Sequence, residues 1–122
     1  MSNSPKKILI IEDEKMLREA YEIILASKGH KVRTAQNGKE GLKKLKQENP
    51  DIVLLDIFMP LMDGREFLKK FDAVKYAATK VVVLSNVSNK EIEQEVLANG
   101  AKLVLLKAEL SPSDLVRVVD KA

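Results

Sequence analysis

Five short apolar runs recur along this chain, and they constrain its fold more than any other feature. They are Ile8–Ile11, Lys31–Ala35, Ile52–Leu55, Val81–Leu84 and Leu103–Leu106. Four of them are apolar at every position. A strand with no polar face has to be covered on both sides, as in a parallel sheet sandwiched between helices. The run Lys31–Ala35 differs. It sets Val32 and Thr34 against Lys31, Arg33 and Ala35, the pattern of a strand at a sheet edge.

Segments with helical spacing separate the runs. Leu17, Ala20, Tyr21, Ile24 and Leu25 form one stripe, closed near Gly29. Asn37 with Glu40 opens a second helix that turns Leu42 and Leu45 inward before Pro50 stops it. A third follows Asp63-Gly64 and offers Phe67, Leu68 and Phe71. Ser88-Asn89-Lys90-Glu91 reads as a capping box for a fourth, which presents Ile92, Val96 and Leu97 and stops at Asn99-Gly100. Ser111 caps a fifth, with Pro112 at its first position and Leu115, Val118 and Val119 inward. Strand and helix alternating five times predict an α/β, doubly wound, five-stranded parallel sheet of (βα)5 type with right-handed crossovers. Strand order 2-1-3-4-5 puts Lys31–Ala35 at an edge. The 122 residues make one domain, expected over 7–122 behind a flexible segment 1–6.

Composition removes several functions. Cysteine is absent, which rules out a disulfide scaffold, a thiolate nucleophile and cysteine-ligated metal. A single histidine, His30, rules out a multi-histidine metal site, and its place after Gly29 suggests a solvated turn residue. No run approaches the roughly eighteen apolar residues of a membrane span, and the N-terminus lacks a signal-peptide core, so the expected compartment is the cytoplasm. The net charge of +3 comes from 21 basic and 18 acidic residues, interspersed. Lys43-Lys44 and Lys69-Lys70 lie on expected helix faces, so direct nucleic-acid binding is not expected.

Ligands of open α/β sheets bind beyond the carboxyl ends of the strands where the winding reverses, here between strands one and three. Strand one runs into Glu12-Asp13, strand three into Asp56, strand four into Ser85 and strand five into Lys107. Carboxylates converging there repel each other by roughly 4 kcal/mol per pair at about 4 Å, so a cation is required. Oxygen-only ligands suit Mg²⁺, with Mn²⁺ as a substitute, better than zinc. Lys107 adds a mobile positive charge and Ser85 a neutral donor, which together suit the oxygens of a phosphoryl group in transfer. Asp56 ends a rigid central strand and is the expected nucleophile, forming an aspartyl phosphate.

The run Asp56-Ile57-Phe58-Met59-Pro60-Leu61-Met62-Asp63-Gly64 resembles the D-x-x-M-P-x-M-D-G segment of response-regulator receiver domains, and Glu12-Asp13 resembles their acidic pair. The resemblance extends from Lys7 to about Lys121. It implies a flavodoxin-like fold, phosphorylation of Asp56, and Mg²⁺ bound by Glu12, Asp13, Asp56 and the backbone carbonyl of Phe58. Ser85 takes the Ser/Thr switch position and Lys107 the family's lysine position. The implied phosphodonor is a histidine kinase or phosphotransfer protein. The output partner, unspecified, would bind the face of helix four, strand five and helix five, on a monomer or a phosphorylation-dependent dimer.

Two positions depart from the family. Val104 stands where an aromatic switch residue is common, and Ala108 follows Lys107 where proline, often in a cis peptide, is usual. Without proline a cis bond costs about 2.5–4 kcal/mol, which predicts a trans bond or a reshaped loop. Phe58 and Val87 should flank the phosphoryl site and shield it from water, and Asn86 should crowd its entrance. Three other functions compete. A phosphatase acting on external substrates lacks residues for a substrate-recognising cap, so no enzyme of that kind is expected. A flavodoxin-like cofactor binder is disfavoured by acids where a phosphate loop would lie. A receiver fold serving only as a non-phosphorylated protein-interaction module is the remaining alternative.

Overall fold

A computed structural model describes residues 4–122. The strands are β1 (Lys7–Ile11), β2 (Lys31–Ala35), β3 (Ile52–Asp56), β4 (Lys80–Ser85) and β5 (Ala101–Leu106). The helices are α1 (Lys15–Ala26), α2 (Gly38–Glu48), α3 (Gly64–Lys70), α4 (Lys90–Ala98) and α5 (Pro112–Lys121). All strand pairs are parallel and the sheet order is β2-β1-β3-β4-β5, as the alternation of elements predicts. The first three positions of the expected flexible segment 1–6 lie outside the described residues. Among the described residues no helix is long and apolar enough to cross a membrane.

The apolar runs are explained by two cores, one on each face of the sheet. Leu9, Ile11, Val53, Leu55, Val81 and Val83 meet Leu45 of α2, Phe67 and Leu68 of α3 and Val96 of α4. The alternate residues Ile8, Ile10, Ile52, Leu54, Val82 and Leu84 meet Tyr21 and Leu25 of α1 and Leu115 and Val119 of α5. Each large side chain so buried stabilises the fold by about 1.5–3 kcal/mol, and neither strand face can accept a polar residue without losing that contribution.

Local signals position the helices well. Asn37 Oδ1 accepts from the Glu40 N–H at 2.9 Å, Asp63 Oδ1 accepts from the Glu66 N–H at 3.0 Å, and Ser111 and Asp114 form a reciprocal capping box. At α4 the expectation is corrected by one residue. Asn89, not Ser88, is the cap, its Oδ1 accepting from the Ile92 N–H at 3.0 Å. Val96 is the buried residue of this helix, and Leu97 is exposed rather than part of the core.

Two further corrections follow from position in the fold. β5 is apolar along most of its length but is an edge strand, so Leu103–Leu106 are half-buried instead of covered on both faces. His30 is buried, not solvated, because the turn after α1 folds it against Lys6, whose backbone N–H it accepts at 3.0 Å. The other edge, β2, is covered by basic side chains of β2 and α2. Arg33 donates to the Val32 carbonyl at 3.2 Å and Lys44 to the Thr34 carbonyl, occupying acceptors that would otherwise invite another strand.

Candidate functional site

Parallel β1 and β3 end side by side, so their next residues enter the same crevice. Glu12 and Asp56 are buried there and Asp13 is exposed at the rim. One oxygen from each of the three carboxylates lies within 4.8 Å of the others. Lys107, directly after β5, reaches in with its ammonium 2.7 Å from Glu12 Oε1 and 3.1 Å from Asp56 Oδ1. The hydrogen bond goes to Glu12, whose Oε2 also accepts from the Glu14 N–H at 3.2 Å. Asp56 Oδ1 is buried with an ion-pair contact and no hydrogen bond.

One ammonium does not balance this charge. Burial, and then the negative charge of Glu12, push the Asp56 carboxyl up to about 7 against the pull of Lys107. Burial lowers the Lys107 pKa, but its hydrogen bond to Glu12 and the charges of Asp56 and Glu12 outweigh this and raise it overall. Lys107 is therefore held charged, whereas Asp56 is held back from ionising. A buried oxygen without a hydrogen bond, three converging carboxylates and no sulfur or second imidazole ligand fit a hard divalent cation, and the site can hold a metal ion.

The loop after β3 is shaped by the close approach of Gly64. Its N–H donates to the Ile57 carbonyl at 2.7 Å, and a Cβ at Gly64 would overlap the carbonyl oxygen of Asp56. A side chain there would displace the end of β3 that carries Asp56. Met59 folds back into the core, while Phe58 and Leu61 stay exposed, Leu61 in the left-handed region at φ 66°. Phe58 is 47% and Val87 49% exposed.

Ser85 lies at the end of β4, next to β3 in the sheet, and is buried. Its hydroxyl is not aimed at a carboxylate: it donates to the Val87 carbonyl at 2.8 Å and accepts from the Val87 N–H at 3.2 Å. The loop after Lys107 is a single 3-10 turn over Lys107–Glu109, with no cis peptide among the described residues. Beside the small Val104 a cavity of about 250 Å³ opens, lined also by Ile57, Ser85, Ile92 and Leu106.

Two residues near the site were not expected there. Arg18, one turn into α1, donates to the backbone carbonyl of Glu12 at 2.8 Å, which fixes the β1–α1 loop. Tyr21, expected only in the core, has its phenol pKa raised by burial first, with Lys107 opposing and Glu12 and Asp56 adding to it. No sequence signal marks Arg18. Tyr21 is hidden because its helical spacing is that of any core residue.

Known proteins match this arrangement. The family described as response regulator receiver domain matches residues 8–120. The chemotaxis protein CheY of Thermotoga maritima is 32% identical over 117 residues, 95% of this chain and 96% of that protein. The probable C4-dicarboxylate response regulator DctR of Bacillus subtilis is 39% identical over 109 residues, 88% of this chain and 48% of that protein. The chain thus spans about half the length, or less, of several curated relatives it matches. A solved CheY-like receiver domain protein from Methanospirillum hungatei superposes with a TM-score of 0.89 at 29% identity, covering 97% of this chain and 93% of that one. The family match takes in both the acids that end β1 and β3 and the lysine that follows β5, and the chain belongs to the response-regulator receiver domains of two-component signalling.

Proposed function

We propose that Asp56 accepts a phosphoryl group from a cytoplasmic histidine kinase or phosphotransfer protein while Glu12, Asp13, Asp56 and the Phe58 carbonyl hold Mg²⁺. The observation that carries this reading is the meeting of three carboxylates whose oxygens lie within 4.8 Å, with a lysine in contact with the two buried ones. Bound there, Mg²⁺ supplies positive charge that neutralises the carboxylates and the oxygens of the phosphoryl group; Mn²⁺ can replace it.

Asp56 has to be ionised to attack, yet its carboxyl is pushed up to about 7. Near neutral pH Asp56 is therefore only partly ionised, and positive charge held by Glu12, Asp13 and Asp56 would draw it toward the carboxylate. In the transfer, an Asp56 oxygen forms the new O–P bond as the N–P bond of the donor phosphohistidine breaks, and the departing imidazole keeps the electron pair and takes up a proton. Lys107, 3.1 Å from Asp56 Oδ1, is placed to neutralise one phosphoryl oxygen. Ser85 donates to another after releasing the Val87 carbonyl, so phosphorylation is coupled to the β4–α4 loop. The partner face is that of α4, β5 and α5, where β5 is half-buried and a cavity of about 310 Å³ is lined by Leu105, Leu106 and Leu110.

Incubation with Mg²⁺ and acetyl phosphate, followed by intact mass, tests the reading. One phosphoryl group should be gained, and it should be lost in Asp56→Asn and in excess EDTA. No gain by the wild-type domain under conditions that phosphorylate a control receiver would leave the interaction-module reading.

A further inference from the structure

We infer that His30 is a proton-operated latch between the start of β1 and the carboxyl end of α5, exchanging a backbone partner for a carboxylate when it is protonated. Its side chain is 1% exposed. Nδ1 accepts the Lys6 backbone N–H at 3.0 Å. An acceptor nitrogen carries no hydrogen, so the neutral ring bears its proton on Nε2. That atom is buried with no hydrogen-bond partner, and Asp120 Oδ1 stands 3.8 Å from it, beyond hydrogen-bond reach.

Lys6 makes the connection to α5. Its ammonium donates to the carbonyls of Val119 at 2.6 Å, Asp120 at 3.2 Å and Ala122 at 3.2 Å, at the end of α5 where carbonyls are short of intrahelical donors. Its carbonyl accepts from the Lys31 N–H at 2.9 Å, at the start of the β1–β2 ladder. One residue thus holds the imidazole through its N–H, β2 through its carbonyl and α5 through its ammonium.

A proton added to the ring has one place to go, Nδ1. There it turns the acceptor into a donor facing the Lys6 N–H, and the bond is lost. The same proton makes the ring a cation whose Nε2–H faces the Asp120 carboxylate across a poorly solvated gap, so the ring is drawn to α5. Asp120 faces the ring from α5 and Lys6 from the segment before β1. On its own stretch Lys28 and Lys31 are exposed, and Asp51 before β3 is engaged with the Lys7 N–H at 2.8 Å. The neutral ring favours the Lys6 bond and the charged ring favours Asp120.

Nuclear magnetic resonance of the whole chain reads both halves of the exchange. Long-range nitrogen–proton correlations of His30 should show the Nε2–H tautomer at about pH 8. On acidification to about pH 5, the Lys6 amide should lose about tenfold in protection factor as the ring gains its proton, as expected for loss of one hydrogen bond, while the last-turn amides of α5, toward which the charged ring is drawn, should keep theirs. His30→Gln offers a carbonyl to the Lys6 N–H at every pH, and its protection should stay within about twofold over that range. Repeating the titration on Asp56→Asn removes the contribution of the carboxylate at the other end of the sheet. An Nδ1–H tautomer at neutral pH, or a ring that titrates while the Lys6 amide keeps its protection, overturns the inference. These wild-type measurements decide it even if His30→Gln does not fold.

Discussion

The two ends of the sheet are built on opposite principles. At the amino end the polar groups are largely paired across elements. Asp51 Oδ2 accepts the Lys7 N–H at 2.8 Å, the Asp51 carbonyl accepts the Lys80 N–H at 2.9 Å, and the Thr79 hydroxyl donates to the Pro50 carbonyl at 2.7 Å. At the carboxyl end, two buried carboxylates and one exposed carboxylate face a single ammonium. Paired polar groups fasten a fold, whereas like charges gathered without balance weaken it and make it responsive to a cation or a proton. His30 apart, the chain therefore fastens its fold at the amino end of the strands and gathers its unbalanced charge at the other.

The largest test of that contrast is Lys107→Met. With the ammonium gone, buried Glu12 loses its hydrogen-bonded partner and Asp56 its ion pair, and stability without divalent cation should fall by about 3 kcal/mol. Mg²⁺ should restore most of it, so urea unfolding with EDTA and with Mg²⁺ should diverge more for the variant than for the wild type. Equal divergence would mean that the carboxylates do not share one cation site.

Asp56→Asn acts with the opposite sign. The folded carboxyl holds its proton up to about 7, against an ordinary value of 3.8. Between those values the folded state binds more protons than the unfolded one, so this group makes the fold less stable as pH rises from about 4 to about 7. Asparagine removes that slope. Above neutral pH, without Mg²⁺, the variant should be more stable than the wild type by on the order of 2 kcal/mol, with the difference vanishing toward pH 4. Thermal unfolding across this range checks it, and a constant difference at all pH values would remove the electrostatic explanation.

At the amino end Thr79→Val should cost about 1–2 kcal/mol, because the buried Pro50 carbonyl loses its donor. Neither Mg²⁺ nor a shift from pH 8 to about pH 7 should alter that cost, since no group titrating there is removed. A Mg²⁺-dependent cost in urea unfolding would show that the two ends are not independent.

What the sequence reveals divides along physical lines. β1, β3 and β4 are legible because burial on both faces demands an unbroken apolar run. Glu12, Asp13, Asp56 and Lys107 are legible because topology alone assigns them to one end of the sheet. β5 misleads: its run is as apolar as the central ones, but its edge position leaves it half-buried. His30 follows a glycine like many solvated turn residues, and only the return of Lys6 past it makes it buried. The Ser85 hydroxyl, turned to Val87, and the Arg18 bond to the Glu12 carbonyl depend on rotamers and loop paths that spacing does not encode.

The smallest expected effect concerns the water at the responsive end. Phe58 and Val87 are about half exposed and each stands two positions beyond a site residue, Asp56 and Ser85. Side chains left half exposed contribute little to the core, so their replacement should scarcely change stability. They can still exclude water from an acyl phosphate on Asp56, whose hydrolysis needs a water molecule in line with the O–P bond. Asparagine in place of Phe58 removes apolar cover and offers an amide that can hold such a water. Phosphorylated Phe58→Asn should therefore lose its phosphoryl group about three- to fivefold faster, a barrier change of about 1 kcal/mol. Loss of the phosphoryl group followed by intact mass, with Thr79→Val as the amino-end control, measures it. Equal or slower hydrolysis in Phe58→Asn would mean that the ring packs the loop without shielding the site.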